Sequence, residues 1–104
     1  MDIASTRSKN GVLIRLTKER WKHIVLMHPN LYGRHAQVIN SVKAPDYILR
    51  GKAGELLAVL MLSMRRYLVV VYKEERNDGF IITSYETNDT KWLFKKELIW
   101  NRPS

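Results

Sequence analysis

Cysteine is absent from this sequence of 104 residues, which excludes disulfides, thiolate metal sites and a cysteine nucleophile. Negative charge is scarce: ten Asp and Glu stand against eighteen Lys and Arg, for a net charge of +8 and a pI near 10.0. Long apolar runs are missing too. The longest, LLAVLML (Leu56 to Leu62), falls far short of the ~20 residues a membrane helix needs. The first residues, MDIASTRSKN, are polar and lack the apolar stretch of a secretory signal. The expectation is therefore a cytoplasmic protein with no membrane association. No internal repeat or low-complexity segment is visible.

What remains is ordinary globular material, 45% apolar and 27% charged, enough for one domain with a modest core. Excess positive charge on so small a chain points to a polyanionic partner, because neutralising phosphates releases counterions. A merely solvated cationic surface is the plainer alternative.

The pattern along the chain reads as follows. Residues 1–10 are expected to be a flexible tail, and 11–104 a single domain. VLIRL (Val12 to Leu16) suits a first strand. Thr17 is a candidate N-cap and Glu19 sits where the helix dipole favours an anion. The helix so begun runs from Lys18 to about His28, where Pro29 ends it. A second helix is expected from about Arg34 to Val42, with Ala36, Ile39 and Val42 inward. A strand starts at Tyr47. Glu55 to Met64 is apolar on both alternating faces, as in a central strand covered on both sides, although periodicity alone fits a buried helix too. YLVVVYK (Tyr67 to Lys73) and FIITSYE (Phe80 to Glu86) read as strands joined at Asn77-Asp78-Gly79, where Asp-Gly suits a hairpin turn. The tail TKWLFKKELIWNRPS fits a short helix or a last strand. The expected architecture is α+β, with an N-terminal strand and two helices packed on an antiparallel sheet of about four strands.

Three histidines invite a metal site, but His23, His28 and His35 are spaced by five and seven residues. Within a helix His23 and His28 lie ~140° apart, so they share no face, and no carboxylate falls at ligand spacing. No metal and no cofactor are expected. Trp21, Ile24, Val25 and His28 form one apolar stripe. On that stripe, His28 reads as a helix C-terminal residue bonding free carbonyls or as a catalytic group. His23 is ~200° from Trp21 around the wheel. It is either plainly exposed or the proton-transfer group of a groove edge, imidazole being suited to that task near neutrality. In ITSYET, alternation puts Thr83 and Tyr85 on one face, with Ile82 and Ser84 on the other. Thr83 and Tyr85 are packing residues or hydroxyls offered to phosphate and ribose. Arg65, Arg66, Lys73 and Lys91 could supply cations, and Trp92, beside Lys91 and ahead of Lys95-Lys96, is the best-placed aromatic for stacking on an unpaired base.

The ordered motifs RLTKERWKHIVLMHPNL, APDYILRG, YLVVVYK and DGFIITSYET resemble small phage- and toxin-associated nucleases of the barnase–EndoU–colicin–RelE superfamily, across most of residues 13–100. The resemblance implies helices on an antiparallel sheet of about four strands and metal-independent RNA cleavage. It assigns His23 and His28, with Thr83 and Tyr85, to the matching catalytic positions, and Arg65 or Lys73 to phosphate. His23 would act as general base on the 2′-hydroxyl, giving a 2′,3′-cyclic phosphate, and Tyr85 or His28 would protonate the leaving oxygen. RNA is the implied partner, with an acidic antitoxin or immunity protein covering the basic cleft. The alternatives are a non-catalytic RNA-binding module of the same fold, and a small protein-interaction subunit.

Overall fold

The computed structural model describes residues 1–104. Its seven strands are β1 (Asp2–Arg7), β2 (Leu13–Thr17), β3 (Tyr47–Arg50), β4 (Leu56–Ser63), β5 (Arg66–Glu75), β6 (Asp78–Thr87) and β7 (Glu97–Asn101). Helices α1 (Lys18–Met27) and α2 (His35–Lys43), with a 3-10 turn at Pro29–Leu31 between them, separate β2 from β3, and the one-turn α3 (Thr90–Leu93) separates β6 from β7. All strands join one sheet in the order β1-β2-β6-β5-β4-β3-β7.

This corrects the expected sheet of about four antiparallel strands carrying two helices. The sheet has seven strands, it is mixed, and the helices are three and short. Two added strands come from segments with weak patterns of their own. Residues 2–7, expected in a flexible tail, pair antiparallel with β2, Ala4 opposite Leu16 and Thr6 opposite Ile14. At the other end ELIWN pairs with β3. Mixed character enters at β2 and β6, which run parallel through Leu13–Arg15 opposite Asp78–Phe80. No hairpin connects these two strands, so local turn chemistry does not set their direction.

The central meander β4-β5-β6 is antiparallel throughout. Its second hairpin turns two residues before the expected place: Glu75 pairs with Asp78, so Arg76 and Asn77 make the turn, with Arg76 at φ 53°. Asp78-Gly79 instead opens β6. Gly79 is needed there because an added Cβ would lie 2.3 Å from the Lys73 carbonyl oxygen. A bulge follows, with Tyr72 opposite Ile81 but Val71 opposite Thr83. The extra residue, Ile82, therefore packs on the same side as Tyr85 instead of opposite it.

α1 starts at Thr17, whose hydroxyl accepts from the Arg20 N–H at 3.1 Å, satisfying one of the free first-turn donors. Helices α1 and α2 cover one sheet face, burying Ile24, Val38 and Val42 against Ile14, Leu16, Leu68, Val70 and Tyr72. The inward face of α2 is Val38, Ser41 and Val42, with Ile39 at its margin and Ala36 exposed. Glu86 fastens this layer, taking hydrogen bonds from Arg34 at the start of α2 and from Arg66 on β5.

The opposite face has a smaller core of Leu49, Leu57, Val59, Val69 and Val71. Only α3 and the residue after it lie over this core. Leu93 is fully buried there, and Phe94 meets Tyr47 and Tyr67 edge-on at 5.1 and 5.4 Å between ring centroids. The strip of this face along β6 is left open.

Candidate nucleic-acid site

β2 pairs with β6 only as far as Arg15 and Phe80, which leaves the outer edge of β6 without a strand partner from Ile81 onward. Beyond that point no strand pairs with the outer side of β6, and α1 packs beside it. The apolar stripe of α1 therefore overruns the sheet, and its last member, His28, meets β6. The His28 imidazole lies 6.0 Å from the Tyr85 ring, centroid to centroid. The helix is closed by the His28 backbone, whose N–H donates to the Ile24 carbonyl at 2.8 Å. Its side chain makes no hydrogen bond to the last carbonyls, so the ring is free to face Tyr85.

A row of side chains continues from this pair. Tyr85 packs against Trp92 of α3 at 6.4 Å, and the Lys96 ammonium sits over the Trp92 ring, 4.6 Å from its centroid. Asp89 holds α3 in place by accepting from the Trp92 N–H at 3.0 Å. Burial pushes the Tyr85 phenol above its ordinary pKa, so it stays protonated at neutral pH. Thr83 lies two residues from Tyr85 on the same face, opposite Val71. Alternation along β5 brings Lys73 to this face as well. Backbone N–H groups of Glu55 itself and of Ala53 hold the Glu55 carboxyl below its ordinary pKa, and Lys96 and Lys73 add to this. Lys73 and Lys96, from two segments, thus lie near the Glu55 carboxylate.

His28, Thr83, Tyr85, Lys73 and Trp92 accordingly share one face, with Lys91 exposed on α3 beside Trp92. The other expected residues lie elsewhere. His23 is exposed on α1 beside Thr17, Glu19 and Arg20, in a shallow polar depression away from Tyr85. Arg65 is the strained apex of the β4–β5 turn, at φ 65°. Arg66 donates to Glu86 at 2.8 Å and belongs to the helix side of the sheet. His35 packs edge-on against Trp21 at 5.8 Å.

Sequence reading missed a basic cleft next to the row. Arg50, Gly51, Lys52, Trp92, Lys95, Lys96 and Glu97 enclose about 460 Å³. The cleft forms because β7 returns beside β3 and brings Lys95-Lys96 to the β3–β4 turn. The signal available in the sequence was the pair of basic residues around Gly51.

No His, Asp, Glu or Cys side chains gather in a group of three or more that could hold a metal ion. No helix is long and apolar enough to cross a membrane. Comparison with family models, with curated proteins and with solved structures finds no match.

Proposed function

We propose that the chain is an endoribonuclease of the barnase–EndoU–colicin–RelE type, cutting RNA by attack of a 2′-hydroxyl on the adjacent phosphate. The observation that carries this reading is the contact of His28 with Tyr85 on an open sheet face edged by Trp92 and lysines. It pairs a proton acceptor and a proton donor of different acidity beside groups that attract phosphate.

The His28 imidazole takes the proton from O2′ as O2′ bonds to phosphorus. The bond from phosphorus to O5′ breaks, and the Tyr85 phenol gives its proton to the departing O5′. A phenol with a raised pKa is a weak acid, yet an alkoxide is a far stronger base than phenolate, so the transfer runs downhill. Products are a 2′,3′-cyclic phosphate and a 5′-hydroxyl. Solvent then returns the proton from imidazolium to phenolate. The Thr83 hydroxyl, on the same face as Tyr85, would stabilise charge on the non-bridging oxygens, and Lys73, farther along β5, would attract the RNA backbone. His28 replaces His23 as base, because His23 has neither Tyr85 nor the open face within reach.

The test is RNA digestion in EDTA with analysis of the product ends. Cyclic phosphate and 5′-hydroxyl ends are expected, with no cutting of the all-2′-deoxy strand. Cleavage of the deoxy strand, or cleavage only with added metal, refutes the mechanism. Salt-sensitive binding without products identifies a non-catalytic RNA-binding module instead.

A further inference from the structure

The cleft around Trp92 adjoins the row just described but takes no part in the chemistry. Three separate segments build it: Arg50 ends β3, Lys52 lies in the β3–β4 turn, and Lys95 and Lys96 follow α3. Its one aromatic, Trp92, is 46% exposed, unusual for so large an apolar ring. The one carboxylate of its lining, Glu97, is engaged by Arg50 at 3.2 Å, and the Glu55 carboxylate lies behind Gly51, within the field of Lys96. Lys52 and Lys95 are in no ion pair, so the cleft keeps a surplus of unneutralised charge around a flat ring. A volume of about 460 Å³ lies within the range of small-ligand clefts.

We infer that this cleft is a nucleotide subsite for single-stranded RNA, seating one unpaired base on Trp92 and the neighbouring phosphate among Lys52, Lys95 and Lys96. The inference rests on the RNA reading of the adjoining site and names the form of RNA it takes. A base inside a duplex has no face to offer an aromatic ring, whereas an unpaired base stacks on it whatever its identity. In the free protein Lys96 covers the ring. Stacking of a base on an indole is the stronger contact at an exposed site. The incoming base displaces the Lys96 ammonium, which stays on its tether within reach of the phosphate. The base next to the scissile phosphate is then held by the same side chain that packs against Tyr85.

The experiment uses a short 2′-O-methyl RNA oligonucleotide, which cannot be cleaved by 2′-hydroxyl attack, as a single strand and as a duplex, with binding followed by tryptophan quenching and anisotropy. The single strand should bind more tightly than the duplex. Trp92→Ala should weaken single-strand binding by roughly 5- to 150-fold, the worth of one stacked base, with Trp92→Phe retaining most of the affinity. Lys52→Gln with Lys95→Gln, both exposed, should flatten the slope of log affinity against log salt by about 1.4. Equal affinity for single strand and duplex, or wild-type binding by Trp92→Ala, overturns the subsite. Trp92-dependent binding of the modified strand without cleavage of ordinary RNA upholds the subsite and defeats only the cleavage reading. Cleavage of RNA by a Trp92→Ala variant that binds as wild type does the reverse.

Discussion

Replacing Glu86 by Gln tests how the helix layer is tied to the sheet. The Glu86 side chain is only 7% exposed and receives Arg66 Nη2 at 2.6 Å, together with Arg34 Nη1. Gln has the same shape but keeps one neutral acceptor and no charge. Charge-assisted bonds contribute about 1.5–3 kcal/mol each against about 0.5–1.5 for neutral ones. Arg34 and Arg66 are 31% and 51% exposed, so water recovers part of the loss. The expected cost is about 2 kcal/mol near neutral pH, or roughly 8–16 °C in Tm for a domain of this size. Burial works against the charge on Glu86, but the hydrogen bonds from Arg34 and Arg66 outweigh it and hold the carboxyl below its ordinary value of 4.5. A depressed folded-state pKa gives stability that is complete above the unfolded value and lost as pH falls through the folded one. Urea unfolding of both proteins should therefore show a gap at neutral pH that is smaller in acid well below pH 4.5. A gap that is the same at both pH values, or missing near neutrality, would mean that the two arginines do not hold Glu86 ionised.

Three further outcomes are expected. The Tyr72 hydroxyl is buried with no hydrogen-bond partner, so Tyr72→Phe should raise stability by about 1 kcal/mol; a loss in urea unfolding would reveal a partner for that hydroxyl. Gly79→Ala puts a methyl 2.3 Å from the Lys73 carbonyl oxygen and 2.7 Å from Ile14 Cδ1, both in packed surroundings, and should cost about 1–3 kcal/mol; wild-type stability would mean that the hairpin yields freely. Thr17→Ala removes the α1 cap and should cost about 1 kcal/mol, measured by thermal unfolding.

Much of the central structure was legible in the sequence, since the strands of the meander carry strong β-branched runs and α1 is bracketed by Thr17 and Pro29. The margins were not. β1 and β7 are short and polar-interrupted, and they become strands only by pairing with β2 and β3, a long-range event with no local signature. The β5–β6 turn was misplaced because Asp-Gly is a common turn pair, whereas Gly79 here serves a close backbone approach. In the candidate site, Thr83 and Tyr85 were correctly placed on one face by alternation, but the bulge moved Ile82 to the same side. The proposed change of base from His23 to His28 has a specific structural cause. His28 lies on the inward stripe of α1, and an inward position reads as core from the sequence. At that end of the helix the sheet has already lost β2, so the stripe faces the open side of β6 and His28 meets Tyr85 instead of apolar packing. The basic cleft depended on β7 returning beside β3, and nothing local announced that pairing.

The proposed cleavage turns on His28, and not His23, working with Tyr85 on RNA. Its most direct test is the initial rate of RNA cleavage in EDTA for His28→Ala and His23→Ala, each first shown to be folded by circular dichroism. A loss of roughly 100- to 10,000-fold is expected for His28→Ala, the usual worth of a general acid–base group, and a near wild-type rate for His23→Ala. Full activity in His28→Ala, or a comparable loss in His23→Ala, would contradict it.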